Sequence, residues 1–268
     1  MADKSNFYRL LDVVRPLRYW FENSLYSLQG DKYKAAMIEL KDRYEGQPML
    51  IIGNGPSLNK TPLADFENVP AIGLNKINLI FERTSWRPSL VLSSNPLVVS
   101  QNTEFWASTD IPIFLSWKNH WFLPRAVKDR VNFYLQINSK AFQTDIVRGI
   151  GAGATITFAA MQFAYYMGAN PLILFGVDHS FALKTTDKKG DIVKSQEDDK
   201  SHFDPNYFGK GTWWQLPDLD YSERAYALAR TAFESEGRQI LDATLGGQLE
   251  VFPKITLREA RELCGCEA

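Results

Sequence analysis

Short apolar runs alternate with helix-spaced apolar stretches along most of this chain. Met49-Leu-Ile-Ile52, Ala71-Ile-Gly-Leu74, Leu90-Val-Leu92, Ile111 to Leu115, Val131 to Leu135 and Leu172-Ile-Leu-Phe175 are brief and apolar on consecutive positions. Continuous apolar runs of this length fit strands buried on both faces, which is the pattern of a parallel sheet with helices packed on each side. A long apolar segment, Thr155 to Met167, predicts a buried helix ahead of the Leu172 strand. Strand and helix alternating in this order predict an α/β, Rossmann-like, mostly parallel sheet with helices on both faces.

The two ends of the chain differ from this core. In residues 1 to about 46, Phe7, Leu10, Leu11, Val14, Leu17 and Phe21 recur at helical spacing, and Pro16 is expected to break or kink that helix. A second helix is expected from Lys32 to Tyr44, closed by Gly46-Gln47-Pro48. Residues 1–47 therefore read as a helical extension, either an arm packed on the main domain or a docking helix. Tyr19, Trp20 and the neighbouring arginines would suit peripheral contact with a membrane. Residues 48–268 read as one nucleotide-binding α/β domain. Inside it, residues 182 to about 220 lose all periodicity and become charged, which marks a lid or binding loop. Order resumes with a helix that Ser222 could cap and Gly237 ends, a strand at Gln239-Ile-Leu241, and a last helix opened by the capping box Thr256-x-x-Glu259.

Composition narrows the function classes. Hydrophobic residues make up 45% and charged residues 23%, as in an ordinary folded domain, and the net charge of −1 offers nucleic acid no global basic field. Cys264 and Cys266 read as reduced thiols, and no apolar run is long enough to span a bilayer. Asp12, Arg15 and Arg18 interrupt any signal-like stretch. The expected location is cytoplasmic, with peripheral contact to the inner membrane through the N-terminal helix as the alternative.

Candidate chemistry gathers at strand ends, where open α/β sheets hold ligands. Gly53-Asn54-Gly55-Pro56-Ser57 follows the first strand directly, and its glycines allow a sharp turn and close backbone approach to a ligand. Gly149-Ile-Gly151-Ala-Gly153-Ala-Thr155 opens the long helix and could offer amides and the positive dipole end to a phosphate. Close helix–sheet packing would demand the same small residues. The expectation is that unpaired N–H groups of both turns converge on one anion pocket. Asn75, Asn95 and Asp178 each follow a strand and could bond a ribose or base, or merely cap a turn. Asp178-His179 could bind metal or orient a hydroxyl. Of the three histidines, His120 sits with Trp117 and Trp121 in an expected packing cluster, whereas His202 lies in the lid with Asp204, Tyr207, Trp213 and Trp214. His202 is the candidate general base.

Gly53-Asn-Gly-Pro-Ser57, Gly176-Val-Asp-His179, His202-Phe-Asp-Pro-Asn-Tyr207 and Ala243-Thr-Leu-Gly-Gly-Gln-Leu-Glu-Val-Phe252 resemble the MptE-like proteins over roughly residues 48–260. That family includes archaeal 6-hydroxymethylpterin pyrophosphokinases and motility-accessory flagellin glycosyltransferases. The first half is also similar to small bacterial sialyltransferases that use CMP-sialic acid, through Gly53–Ser57, Asn75, Asn95-Pro96 and Gly176–Asp178. The resemblance implies that Asn54, Asn75 and Asn95 hold the nucleotide and its sugar, and that Gly151–Thr155 lies near the phosphate and cytidine. It implies a glycosyltransferase acting on a nucleotide-activated, CMP-linked sugar donor and a glycan or glycoconjugate acceptor. His202 would be the base, and Tyr207 with glycine-turn amides would stabilise the leaving phosphate, with no metal required. Two departures stand out. The sialyltransferases place their histidine just before the helix near Ser222, where this chain has Asp218 to Asp220. The kinase branch is expected to carry an aspartate where this chain has Asn95. The alternatives are a Mg²⁺/ATP pyrophosphokinase using Asp178 and Asp204 as metal ligands, and a nucleotide-binding accessory protein without turnover.

Overall fold

Consecutive apolar residues place strands β1 (Met49–Ile52), β2 (Ala71–Leu74), β3 (Leu90–Ser93) and β4 (Ile113–Ser116) in a computed structural model that describes residues 15–180 and 189–266, with the backbone alone for 15–20 and 22. Every residue of these four strands is buried, as both-face coverage requires. With β5 (Asn132–Tyr134), β6 (Leu172–Phe175) and β9 (Ile240–Asp242) they form one seven-stranded sheet in the order β5-β4-β3-β2-β1-β6-β9. Every neighbouring pair is parallel. The fold is the α/β Rossmann-like arrangement that the strand pattern predicts. Strand order reverses between β1 and β6, so the crevice for a ligand opens at their C-terminal ends.

The helices are α1 (Arg15–Gln29), α2 (Asp31–Ile38), α3 (Pro96–Gln101), α4 (Thr103–Ser108), α5 (Arg125–Lys128), α6 (Ile156–Tyr166), α7 (Leu219–Ser235) and α8 (Leu257–Cys264). Apolar on nearly every position, α6 runs beneath β1, β2 and β3 with Phe158, Met161 and Phe163 fully buried. Thr155 caps it, its hydroxyl accepting from the Thr157 amide at 3.2 Å.

Several local expectations shift. Pro16 is the second residue of α1 as described, where a missing N–H costs no intrahelical bond, and the helix it was expected to break lies before it, outside the described residues. Phe7, Leu10, Leu11 and Val14 lie outside the described residues, as do the side chains of Leu17, Tyr19 and Trp20. The second helix stops at Ile38, well before Tyr44. Beyond it the backbone turns to pair with the end of α6, Asp42 N–H on the Tyr166 carbonyl and Tyr44 N–H on that of Met167. Asp218 caps α7, its carboxylate accepting the Tyr221 amide at 3.1 Å, while Ser222 lies inside the helix. Gly237, at φ +68°, ends α7, and the Thr256/Glu259 capping box opens α8 as expected. No described helix is long and apolar enough to cross a membrane.

From residue 189 onward the lid is ordered by contacts that periodicity cannot show. Strands β7 (Ile192–Lys194) and β8 (Trp213–Gln215) form an antiparallel hairpin. It is fastened to α3 by Gln101 Nε2 donating to the Trp213 carbonyl at 2.9 Å and by Asn95 Nδ2 reaching Gln215 at 3.3 Å.

Candidate functional site

The Gly53–Ser57 turn is built around Asp178. Its carboxylate accepts the Ser57 amide at 3.0 Å and the Ser57 hydroxyl at 2.6 Å. Gly55 permits this approach, since a Cβ there would fall 1.8 Å from Asp178 Oδ2. Gly53 likewise lets β1 and β6 converge, a Cβ being 2.2 Å from the Gly176 carbonyl. The price of this close packing is that the amides are used internally: Gly53 N–H bonds Phe175 and Gly55 N–H bonds Gly176, each at 2.8 Å. Pro56 has no N–H and starts a 3-10 turn. The expected row of unpaired donors is therefore absent from this turn. What it presents instead is Asn54, a buried side chain whose Oδ1 has no hydrogen-bond partner.

The second turn divides in the same way. Gly151 donates to Gln162 at 2.8 Å, and Ala152 donates to the Ser139 carbonyl at 2.7 Å. Cβ atoms on Gly151 and Gly153 would fall 2.2 Å from the Ala141 carbonyl and 2.4 Å from the Phe158 ring, so both glycines serve packing and neither lines the cavity. Ala154, at φ +58°, and Thr155 do line it, at the N-terminus of α6. Gly53, Asn54 and Gly55 line the same cavity of about 480 Å³, a size that suits a small-molecule ligand.

Asn75 and Asn95 border this cavity too, each partly committed. Asn75 accepts from Ser93 at 2.9 Å and bonds the Tyr207 hydroxyl. Asn95 caps α3 through the Leu97 amide at 2.9 Å. Lys118 and Gln136, 3.1 Å apart, line the β4–β5 end of the cavity, and strand patterning gives no hint of either.

The lid brings His202 to the cavity wall with a partner the sequence reading passed over. His202 Nδ1 lies 2.7 Å from Asp199 Oδ2, and both side chains are nearly buried. Burial alone would raise the Asp199 carboxyl, but the His202 bond and charge and the Ser201 and Phe208 amides outweigh it and hold it below the ordinary carboxylate value. The Asp199-x-x-His202 spacing is the signal that could have singled it out. Tyr207 stacks flat on His202, centroids 3.9 Å apart and planes within 3°. Its hydroxyl is turned to Asn75, and burial pushes its pKa far up, so it remains a neutral phenol. Tyr207 thus supports the imidazole from its face. The other cavity histidine, His179, bonds Glu223 at 2.9 Å and stands at φ +54°. His120 stacks on Trp117 at 4.2 Å in the expected aromatic cluster and does not line this cavity.

Across residues 23–184, more than half of the chain, the sequence matches the family described as 6-hydroxymethylpterin diphosphokinase MptE-like. The chain belongs to the MptE-like family. Among solved structures, this MptE-like protein is similar to the MAf glycosyltransferase from Magnetospirillum magneticum AMB-1, with a TM-score of 0.53 and 13% identity. The likeness covers 85% of this chain and 38% of that one, so the chain spans well under half the length of that enzyme and shares its fold. No curated protein sequence matches the chain.

In this MptE-like protein the two aspartates that a Mg²⁺ site would need are otherwise engaged. Asp178 has both oxygens on Ser57, and Asp204 pairs with Arg83 and accepts the Asn206 amide at 2.9 Å. Among the described residues no three His, Cys, Asp or Glu side chains cluster as metal ligands. The residues present do not fit that ion.

Proposed function

We propose that this MptE-like protein is a glycosyltransferase that moves a sugar from a nucleotide-activated, CMP-linked donor to a hydroxyl of a glycan or glycoconjugate. The observation that carries this reading is His202, held by Asp199, on the wall of a cavity that the N-terminus of α6 also lines. With Nδ1–H donating to the carboxylate, Nε2 is the ring atom that would take the proton, and the carboxylate would stabilise the imidazolium that forms. The acceptor O–H would lose its proton to Nε2 as its oxygen bonds to the anomeric carbon. The bond from that carbon to the phosphate oxygen breaks, and its electron pair leaves with the nucleotide phosphate. The first turn of α6 carries no acidic side chain, so its amides and dipole favour that departing charge. Asn54 Oδ1, a buried acceptor without a partner, suits a ribose hydroxyl or a base amine. The name of the solved neighbour, a glycosyltransferase, points the same way.

A thermal-shift and turnover panel tests this. CMP or CDP should raise the melting temperature without added metal, and CMP-sugars should release CMP faster when acceptor is present. His202→Ala should abolish release while keeping the CMP-induced shift. Unchanged release would remove His202 as the base and direct attention to His179. Stabilisation by ATP only with Mg²⁺ would replace the reading by pyrophosphokinase activity, and binding without release by an accessory role.

A further inference from the structure

Beyond the end of β4 the surface carries large apolar side chains that the reaction does not use. Trp117, in the turn after β4, is buried, but Trp121 and Phe122 turn outward, 51% and 46% exposed. Phe21 of α1, 53% exposed, stacks on Trp121 with centroids 6.1 Å apart. Leu28 is seven residues further along α1, hence on the same helix face, and is 78% exposed. Trp121 meets Trp117 and His120 edge-on at 6.5 and 5.7 Å. The platform is therefore braced from beneath by packed rings, and its exposure is built in.

Two lysines at this platform stand without an acid. Lys32 Nζ lies 4.5 Å over the ring of Tyr33, which packs on Trp117 with centroids 6.1 Å apart, and the charges of Lys128 and Lys32 add to burial in lowering the pKa of His120. The neighbouring acids are answered by other cations, Asp31 by Lys34 at 3.3 Å and Asp129 by Arg125 at 3.5 Å. Among the described residues neither Lys32, whose ammonium lies over the Tyr33 ring, nor Lys128 forms an ion pair with an acid, on a chain whose net charge is −1. Exposed aromatic rings beside unneutralised lysines are the chemistry of an interfacial anchor, with rings at headgroup depth and cations on anionic lipid.

We propose that Phe21, Leu28, Trp121 and Phe122, with Lys32 and Lys128, form a face that docks this protein on an anionic bilayer surface. Lys118 lines the cavity three residues before Trp121, so docking brings the β4 rim of the cavity to the lipid surface. A lipid-linked acceptor hydroxyl would be presented there; that consequence rests on the transferase reading, whereas the docking does not.

Co-sedimentation of the full chain with vesicles tests it directly. The protein should pellet with vesicles of phosphatidylglycerol mixed with phosphatidylcholine, and rising salt should weaken this. Lys32→Glu and Lys128→Glu should each lower the partition coefficient about fivefold or more. Phe122→Ser combined with Leu28→Ser should lower it at least about tenfold while leaving the thermal melt unchanged. Equal pelleting with pure phosphatidylcholine, or no pelleting at all, would overturn the proposal. So would a concentration-dependent dimer that Phe122→Ser abolishes, since the face would then belong to a second copy.

Discussion

Lys76 Nζ donates to the Tyr207 carbonyl at 2.6 Å, and this bond ties the lid to the end of β2. The same ammonium donates to Gln101 at 2.8 Å and lies over the Tyr207 and Phe208 rings. Lys76→Met keeps the apolar stem but removes both bonds. The His202–Tyr207 stack would then lose its anchor while the sheet stays intact. Turnover should fall about tenfold to a hundredfold, since small displacements of a base are costly. Limited proteolysis should cut between residues 189 and 217 faster than in the unaltered protein; equal cutting would show that the lid does not depend on Lys76.

The pH response of this lysine has a definite sign. Burial lowers its pKa to about 8 from an ordinary 10.5, against an opposing pull from Asp199. Between those values the unfolded chain binds more protons than the folded one, so stability contributed by this group rises with pH across that window. Urea midpoints of the unaltered protein, relative to Lys76→Met, should climb from about pH 8 to about 10.5. A falling difference would contradict the assigned burial.

Asp199→Asn tests the orientation of the base separately from its chemistry. An asparagine keeps the volume but carries no charge to hold the Nδ1–H form or the imidazolium. Turnover should drop by about 10² or more, with the CMP-induced thermal shift retained. Nitrogen NMR of His202 should report a change of tautomer, a signature that a purely structural role would not give. The carboxyl is held below its ordinary 3.8, so the stability it adds is present above that pH and lost as pH falls below it. The variant should therefore differ least from the unaltered protein in acid.

The sheet and its C-terminal crevice were legible because buried strands leave continuous apolar runs, and Gly53–Ser57 and Gly176–Asp178 mark the two strand ends that meet at the crevice. Glycines, however, signal close approach without saying what approaches. At Gly55 it is the Asp178 carboxylate, at Gly151 the Ala141 carbonyl and at Gly153 the Phe158 ring. Amides expected to face a ligand are thus largely spent within the fold. The lid resisted reading for another reason. Its order comes from bonds across long sequence separations, such as Phe203 N–H on the Asn54 carbonyl at 2.9 Å and Lys76 on Tyr207, which leave no periodic trace. Asp199 was hidden in a charged run that reads as solvated surface until the chain folds it onto His202.

Gly55→Ala puts the first of these approaches to the test. The added Cβ would sit 1.8 Å from Asp178 Oδ2 and 2.4 Å from its Cγ, so the carboxylate must leave Ser57 or the turn must open. A loss of about 1–3 kcal/mol in stability follows from the broken buried bonds. The thermal shift with CMP should also vanish, because Asn54 moves with the turn. A variant that melts and binds like the unaltered protein would mean the turn is far looser than this packing implies.

Asp178 itself separates a structural from a chemical role. Burial raises its carboxyl above the ordinary 3.8, although both Ser57 bonds pull the other way. The folded state then binds protons more readily than the unfolded one, so this group's contribution falls as pH rises through and above that value. Asparagine removes the burdened charge and can still satisfy Ser57, accepting its amide and donating to its hydroxyl. Asp178→Asn should therefore be at least as stable as the unaltered protein near neutral pH, with any gain disappearing in acid. Its turnover should stay within about threefold, whereas Asp178→Ala, which strands both Ser57 donors, should cost about 1–3 kcal/mol. If Asp178→Asn instead lost turnover as fully as His202→Ala while folding normally, the carboxylate would have to act on the substrate, and Ser57 would be its holder in place of its load.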